Sequence, residues 1–181
     1  MKIISINPNQ IISMNDYPPL HSPASLKKYH NIFKKNNLDL VTPIPVIPVS
    51  VALPYLQKQD DRFEAYGKHL AKFLKKHPNA EYFMFDGTHR ATGAMLSANK
   101  IPAYLIKSDE DIKQLFSLRV AGKISVTGLK NNLAETMGVI EEHYHRTKTF
   151  WTLEEKVKSM ISKGDIDKEM LEHYNNRKKL E

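Results

Sequence analysis

The sequence predicts an α+β fold, on three observations. Residues 81–106 read as strand, polar turn, short helix and second strand; segments 3–6 and 42–51 have strand character; and beyond Ile106 the apolar residues recur at helical spacing. In chain order, the short alternating segment 3–6 is a first strand. Ser22 is the expected N-cap of a helix with Pro23 at its first position, and Leu26, Tyr29 and Phe33 form its inward face. Pro43, Pro45 and Pro48 punctuate the next apolar run. Because proline cannot donate to a ladder, this strand is expected to be short or at an edge. Phe63, Tyr66, Leu70, Phe73 and Leu74 then follow helical spacing in a basic segment.

Tyr82 to Phe85 are bulky and β-prone, Ala91, Ala94, Met95 and Ala98 return to helical spacing, and 101–106 is again a strand. Ser108 with Asp111 resembles a capping box ahead of Ile112, Leu115 and Phe116. Thr127 precedes Leu129, Leu133, Met137, Ile140 and Tyr144. Thr152 and Glu155 form a fuller capping box before Leu153, Val157, Met160 and Ile161, with Gly164 ending that helix; a last helix uses Ile166, Met170 and Tyr174.

The 181 residues suffice for one core, or for a compact domain with a helical extension, and the second is expected. No apolar run approaches the ~20 residues of a membrane span, and no secretory leader is legible, so no membrane partner and a cytoplasmic location are expected. Without any cysteine, disulfides, thiolate catalysis and cysteine zinc sites are excluded. The net charge of +7 suits acidic partners such as nucleotides or nucleic acid, although paired lysines such as Lys27-Lys28 and Lys34-Lys35 are also what solvated helix faces produce.

The chemistry concentrates at Asp86-Gly87-Thr88-His89-Arg90, where a strand ends and a helix begins. The first turn of a helix has backbone N–H groups without intrahelical partners and carries the positive end of the macrodipole, which suits an anion. Gly87 allows a positive φ or close approach of a ligand, and Thr88 can cap the helix or donate to a phosphate. Arg90 offers a fork of donors, His89 can move a proton, and Asp86 can hold Mg²⁺ or accept a substrate proton. The plainer alternative is a structural turn in which Arg90 pairs with Asp86.

With its flanks the motif resembles the ParB/sulfiredoxin superfamily. Segment 3–6, the helix opening at Ser22-Pro23, the Pro-Ile-Pro-Val strand at Pro43 and the motif followed by Ile101-Pro102 stand in that superfamily's order. The resemblance implies a small mixed sheet with packed helices over residues 1–107, an insertion at about 53–78, and a C-terminal helical extension at 108–181. Sulfiredoxins carry a catalytic cysteine where Thr88 stands, so their chemistry is excluded, and Ser25 stands where their phosphate-binding lysine would be. The Asp-Gly-x-His-Arg turn is closest to the free serine kinases.

That branch implies a nucleotide, ATP, ADP or CTP, with Mg²⁺, a phosphotransferase or nucleotidase reaction on a small hydroxyl substrate, and Asp86 and His89 as catalytic residues. Gly87, Thr88, His89, Arg90 and Lys28 are then the phosphate ligands, and Asp86 the Mg²⁺ ligand. Those kinases have an acidic residue before the first helix where this chain has His21-Ser22, which leaves Asp16 as the general-base candidate. The alternative is a non-enzymatic, nucleotide-switched module binding DNA or a partner. Residues 152–179 could form a helix-turn-helix, but Asp165, Asp167, Glu169 and Glu172 put acid on its second helix. His143, His145 and His173 invite a metal site, yet His at i and i+2 of a helix point to different sides.

Overall fold

A computed structural model of the chain describes residues 1–13, 22–56 and 61–178. The fold is α+β, a mixed sheet with helices on both faces. The strands are β1 (Lys2–Ile6), β2 (Ile11–Ser13), β3 (Ile44–Pro48), β4 (Tyr82–Met84), β5 (Ile101–Leu105) and β6 (Trp151–Thr152), and the helices are α1 (Pro23–Lys34), α2 (Val49–Leu56), α3 (Asp61–Lys76), α4 (Thr88–Leu96), α5 (Asp109–Val120), α6 (Leu133–Thr147), α7 (Leu153–Ser162) and α8 (Lys168–Lys178). The sheet order is β1-β5-β3-β4-β2-β6. Neighbours alternate between antiparallel (β1/β5, β3/β4, β2/β6) and parallel (β3/β5, β2/β4) pairing.

Alternate residues of the central strands enter two different cores. Ile44 and Val46 of β3, Met84 of β4, and Ile101 and Ala103 of β5 pack with α1, α4, α7 and α8. Ile47, Phe83, Phe85 and Tyr104 pack on the opposite side with α2, α3, α5 and α6. The sheet is therefore the middle of three layers, and the near-continuous apolar character of 44–49 and 82–85 follows from burial on both faces. Of the stretch 108–181, expected as a helical extension, the described residues, 108–178, supply helices to both outer layers, and Trp151–Thr152 adds a strand to the sheet beside β2.

The proline-rich strand is short, as its prolines require, but central. Phe85 N–H donates to Pro45 O at 3.5 Å on one side and Ile106 N–H to Val46 O at 3.0 Å on the other, so odd positions serve β4 and even positions serve β5. Pro45 thus faces β4 one residue beyond their last pair, Val46 with Met84, and Pro48 faces β5 after the last pair there, Val46 with Leu105. Pro45 therefore forgoes only the second bond of its pair with Phe85, and the missing N–H of Pro48 falls past the last pair with β5. The strand stops at Pro48 and α2 begins at Val49, two residues before the expected end of the strand.

Local signals placed most helix starts. Ser22 caps α1, its hydroxyl accepting from Ser25 N–H at 3.1 Å, and both capping boxes, Ser108 with Asp111 and Thr152 with Glu155, form. Besides α2, α6 departs from this: it starts at Leu133 under an Asn132 cap, and Leu129 is buried in the preceding loop. The acids of the would-be recognition helix have a structural use. Asp167 and Glu169, at the start of α8, lie 3.7 and 3.9 Å from Lys27 Nζ, and Glu169 is 3.5 Å from Lys34, both lysines on α1.

Beneath these pairs His30 of α1 is completely buried, with its Nε2 3.2 Å from Nδ1 of His173 on α8. Burial lowers the His30 pKa, and His173 and Lys34 lower it further, while Glu169 and Asn31 act in the opposite sense. A histidine held neutral contributes stability that is present above its unfolded pKa, near 6.5, and lost as pH falls toward the depressed folded value. The melting temperature is therefore expected to fall between pH 7.5 and 5.5, and less so in His30→Gln; an equal fall in both proteins would exclude this pair as the source.

Candidate functional site

The 86–90 turn sits where β4 gives way to α4 in the middle of the sheet, and it lines a cleft of about 520 Å³ together with Tyr29, Thr42, Ser125 and Thr127. Gly87 is the N-cap of α4 at φ +98°. The first intrahelical bond runs from Ala91 N–H to Gly87 O at 2.9 Å, so the amides of the opening turn precede the helical ladder. The cleft is thus built on the positive end of a helix dipole.

Asp86 lies at the hub. Its Oδ1 accepts from Gly87 N–H at 2.6 Å, its Oδ2 from Thr127 N–H at 3.2 Å, and Arg90 Nη2 is 3.6 Å from Oδ2. Arg90 is nearly buried, and its Nη1 donates to Thr42 O at 2.7 Å and Pro43 O at 3.2 Å. This guanidinium ties the segment entering β3 to α4 and keeps only one side toward Asp86 and the cleft. Arg90 therefore makes the plainer pairing with Asp86 and also lines the cleft.

Thr88 is 8% exposed, and its Oγ1 is buried without a hydrogen-bond partner. A buried hydroxyl normally finds one; this orphan stands at the first turn of α4, and Thr92 Oγ1 further along the same helix is unpartnered as well. His89 is half-buried and reaches back to the other helix: Ser22 N–H donates to its Nε2 at 3.3 Å, which puts the proton of the neutral ring on Nδ1. The starts of α1 and α4 are thereby joined beside the cleft.

Four lining residues were not singled out from sequence as site residues. Tyr29 reaches the cleft from α1, Thr42 from the strand entry, and Ser125 and Thr127 from the loop between α5 and α6. In that loop Ile124 and Val126 are buried while Ser125 and Thr127 are exposed, an apolar/hydroxyl alternation that is a readable sign of an extended strap with one face in the core. Gly128 fixes its path: φ is +80° and a Cβ there would lie 2.9 Å from Phe85 O.

The other candidates are placed differently. Lys28 is exposed, does not line the cleft, and holds its ammonium 5.7 Å from the ring centroid of Tyr29, which does. Asp16 lies outside the described residues. His143 is buried, His145 pairs with Glu141 at 3.1 Å, and His173 meets His30 instead, so these histidines are packing and pairing residues on separate contacts. Among the described residues no group of three or more His, Asp or Glu side chains could hold a metal ion, and no helix is long and apolar enough to cross a membrane. Comparison with protein-family models, curated proteins and solved structures finds no match to this chain.

Proposed function

We propose that the chain binds a nucleotide through its phosphates at the N-terminus of α4 and transfers a phosphoryl group to a small hydroxyl compound or to water. The observation that carries this reading is the Thr88 hydroxyl, buried without a partner at a helix start in a polar cleft. A cleft of this volume falls in the range of small-molecule sites, roughly 300–1,000 Å³. Tyr29 also lines the cleft and would supply an aromatic ring for the base to pack against. In the reaction the acceptor oxygen attacks the terminal phosphorus, its proton passes to Asp86, and the P–O bond to the departing nucleotide breaks with its electrons staying on that nucleotide.

Among the described residues that line the cleft Asp86 is the one carboxylate, too few for a protein-built metal cage but suited to a magnesium ion that arrives on the phosphates of ATP, ADP or CTP. That ion would spread the charge developing on the transferred group. His89, fixed through Ser22, would donate to a phosphate oxygen from its other edge.

Thr88→Val tests the site without disturbing the turn. Its hydroxyl bonds nothing in the protein, so the substitution is expected to leave stability equal or slightly higher, while losing a hydrogen bond to a charged ligand, about 1.5 kcal/mol or roughly tenfold in affinity. Calorimetric titration of ATP, ADP and CTP, each with Mg²⁺, into both proteins reads this. Absence of binding to the wild type, or equal affinity in the two, would sink the reading. A second reading, a nucleotide-switched binding module without turnover, is favoured by one observation: both oxygens of Asp86 are already engaged by backbone amides, so a substrate hydroxyl has to compete with them for the carboxylate. Phosphate release in the presence of serine and other hydroxyl acceptors separates the two.

A further inference from the structure

We infer that the Asp86 carboxylate is a built-in occupant of the anion site, held on donors that a ligand phosphate takes over, so that binding expels it. The inference rests on the phosphate-binding reading above and says how that site is regulated. Three donors from three segments converge on this side chain: the Gly87 amide at 2.6 Å from the turn, the Thr127 amide at 3.2 Å from the strap, and Arg90 Nη2 at 3.6 Å from α4. A carboxylate and a phosphate ask for the same donors, and two anions cannot share them.

The donor set is larger than the carboxylate fills. Asp86 takes the two amides, and the buried Thr88 hydroxyl in the same cleft stays without a partner. A tetrahedral oxyanion carries more oxygens than a planar carboxylate and can take the amides together with the Thr88 hydroxyl once that side chain turns its buried oxygen toward the cleft. The ligand group is therefore a phosphate rather than a carboxylic acid. The strap is anchored, since Ile124, Val126 and Leu129 are buried in the core and the Gly128 backbone lies against Phe85 O. The Thr127 amide thus stays in place while the short Asp86 side chain rotates away, toward the position from which it can accept a substrate proton. Removing the carboxylate should consequently tighten binding of a bare phosphate, the reverse of what a residue that anchors the phosphate would do.

The experiment is calorimetric titration of inorganic phosphate and pyrophosphate, without Mg²⁺, into wild type, Asp86→Ala and Asp86→Asn, with melting curves to establish folding. Binding at least tenfold tighter in the alanine variant is expected, with the asparagine variant between, because its amide oxygen still accepts but carries no charge. Hydrogen exchange at the Thr127 amide should accelerate in Asp86→Ala and slow again when phosphate is added. Should the alanine variant fail to fold, the near-isosteric asparagine variant carries the comparison. Equal or weaker phosphate binding in the folded variants, with the wild type binding, overturns the inference and leaves the phosphate site standing. No binding of either anion by any of the proteins overturns both.

Discussion

Arg90→Ala is expected to destabilise the fold by about 3 kcal/mol, the scale for removing one partner from a buried, hydrogen-bonded charge. The guanidinium is nearly inaccessible to water and donates to the carbonyls of Thr42 and Pro43, so its loss uncaps two carbonyls at the entry to the central strand β3. It also leaves Asp86 facing its two amide donors without the nearby positive charge. Urea unfolding measures this directly, and a change below about 1 kcal/mol would mean that the carbonyls and the carboxylate find water or other partners. Arg90→Lys should recover only part of the loss, because an ammonium cannot span the two carbonyls and Asp86 with a fixed fork. A fall in ligand affinity in Arg90→Ala would report the fold before it reported a phosphate contact, which is why Thr88→Val is the sharper probe of the site.

Gly87→Ala is expected to be comparably severe, again about 3 kcal/mol. Two penalties act together. The left-handed conformation at φ +98° costs an L-residue roughly 1–2 kcal/mol. A Cβ would then lie 2.3 Å from Cγ2 of Ile44, a fully buried residue of β3, and forcing the two apart adds the roughly 1–3 kcal/mol of an overpacked core. Either the turn unwinds, moving the Gly87 amide off Asp86, or β3 shifts. Thermal melting with a double-mutant cycle against Ile44→Val, which keeps the clashing methyl, checks the steric part. The two changes should add within about 0.5 kcal/mol, whereas pairing with Ile44→Ala, which removes the methyl, should reveal a favourable coupling.

The elements with their own punctuation were legible. Ser22-Pro23, Ser108 with Asp111, and Thr152 with Glu155 place helix starts because a cap is a local hydrogen bond between residues three apart, and its energetics need nothing from the rest of the chain. The motif turn was legible for the same reason, since a glycine between a β-prone run and an alanine-spaced run marks the junction of strand and helix. Where the signal was not local it misled. Leu129 matched the helical spacing of 133–144 yet lies in a loop, because its apolar side chain is required by the core near Phe85, not by a helix. Trp151–Thr152 carries no strand signal over two residues and becomes β6 only because β2 offers it an edge.

By itself, then, the sequence determined the α+β class, the order and punctuation of most elements, and the polar turn between β4 and α4, all of which depend on periodicities and caps within a few residues. Only the tertiary structure decided that the proline-rich strand is central, that 108–178 contributes to both outer layers, and that Ser125 and Thr127 face the motif turn across some forty residues of chain. It also decided how the motif is used, drawing Arg90 inward onto two carbonyls, setting Asp86 on two amides and stranding the Thr88 hydroxyl. The reason is physical: a propensity or a cap is a property of neighbouring residues, whereas the partner of a buried charge or hydroxyl is whatever the packed fold brings within three ångströms of it.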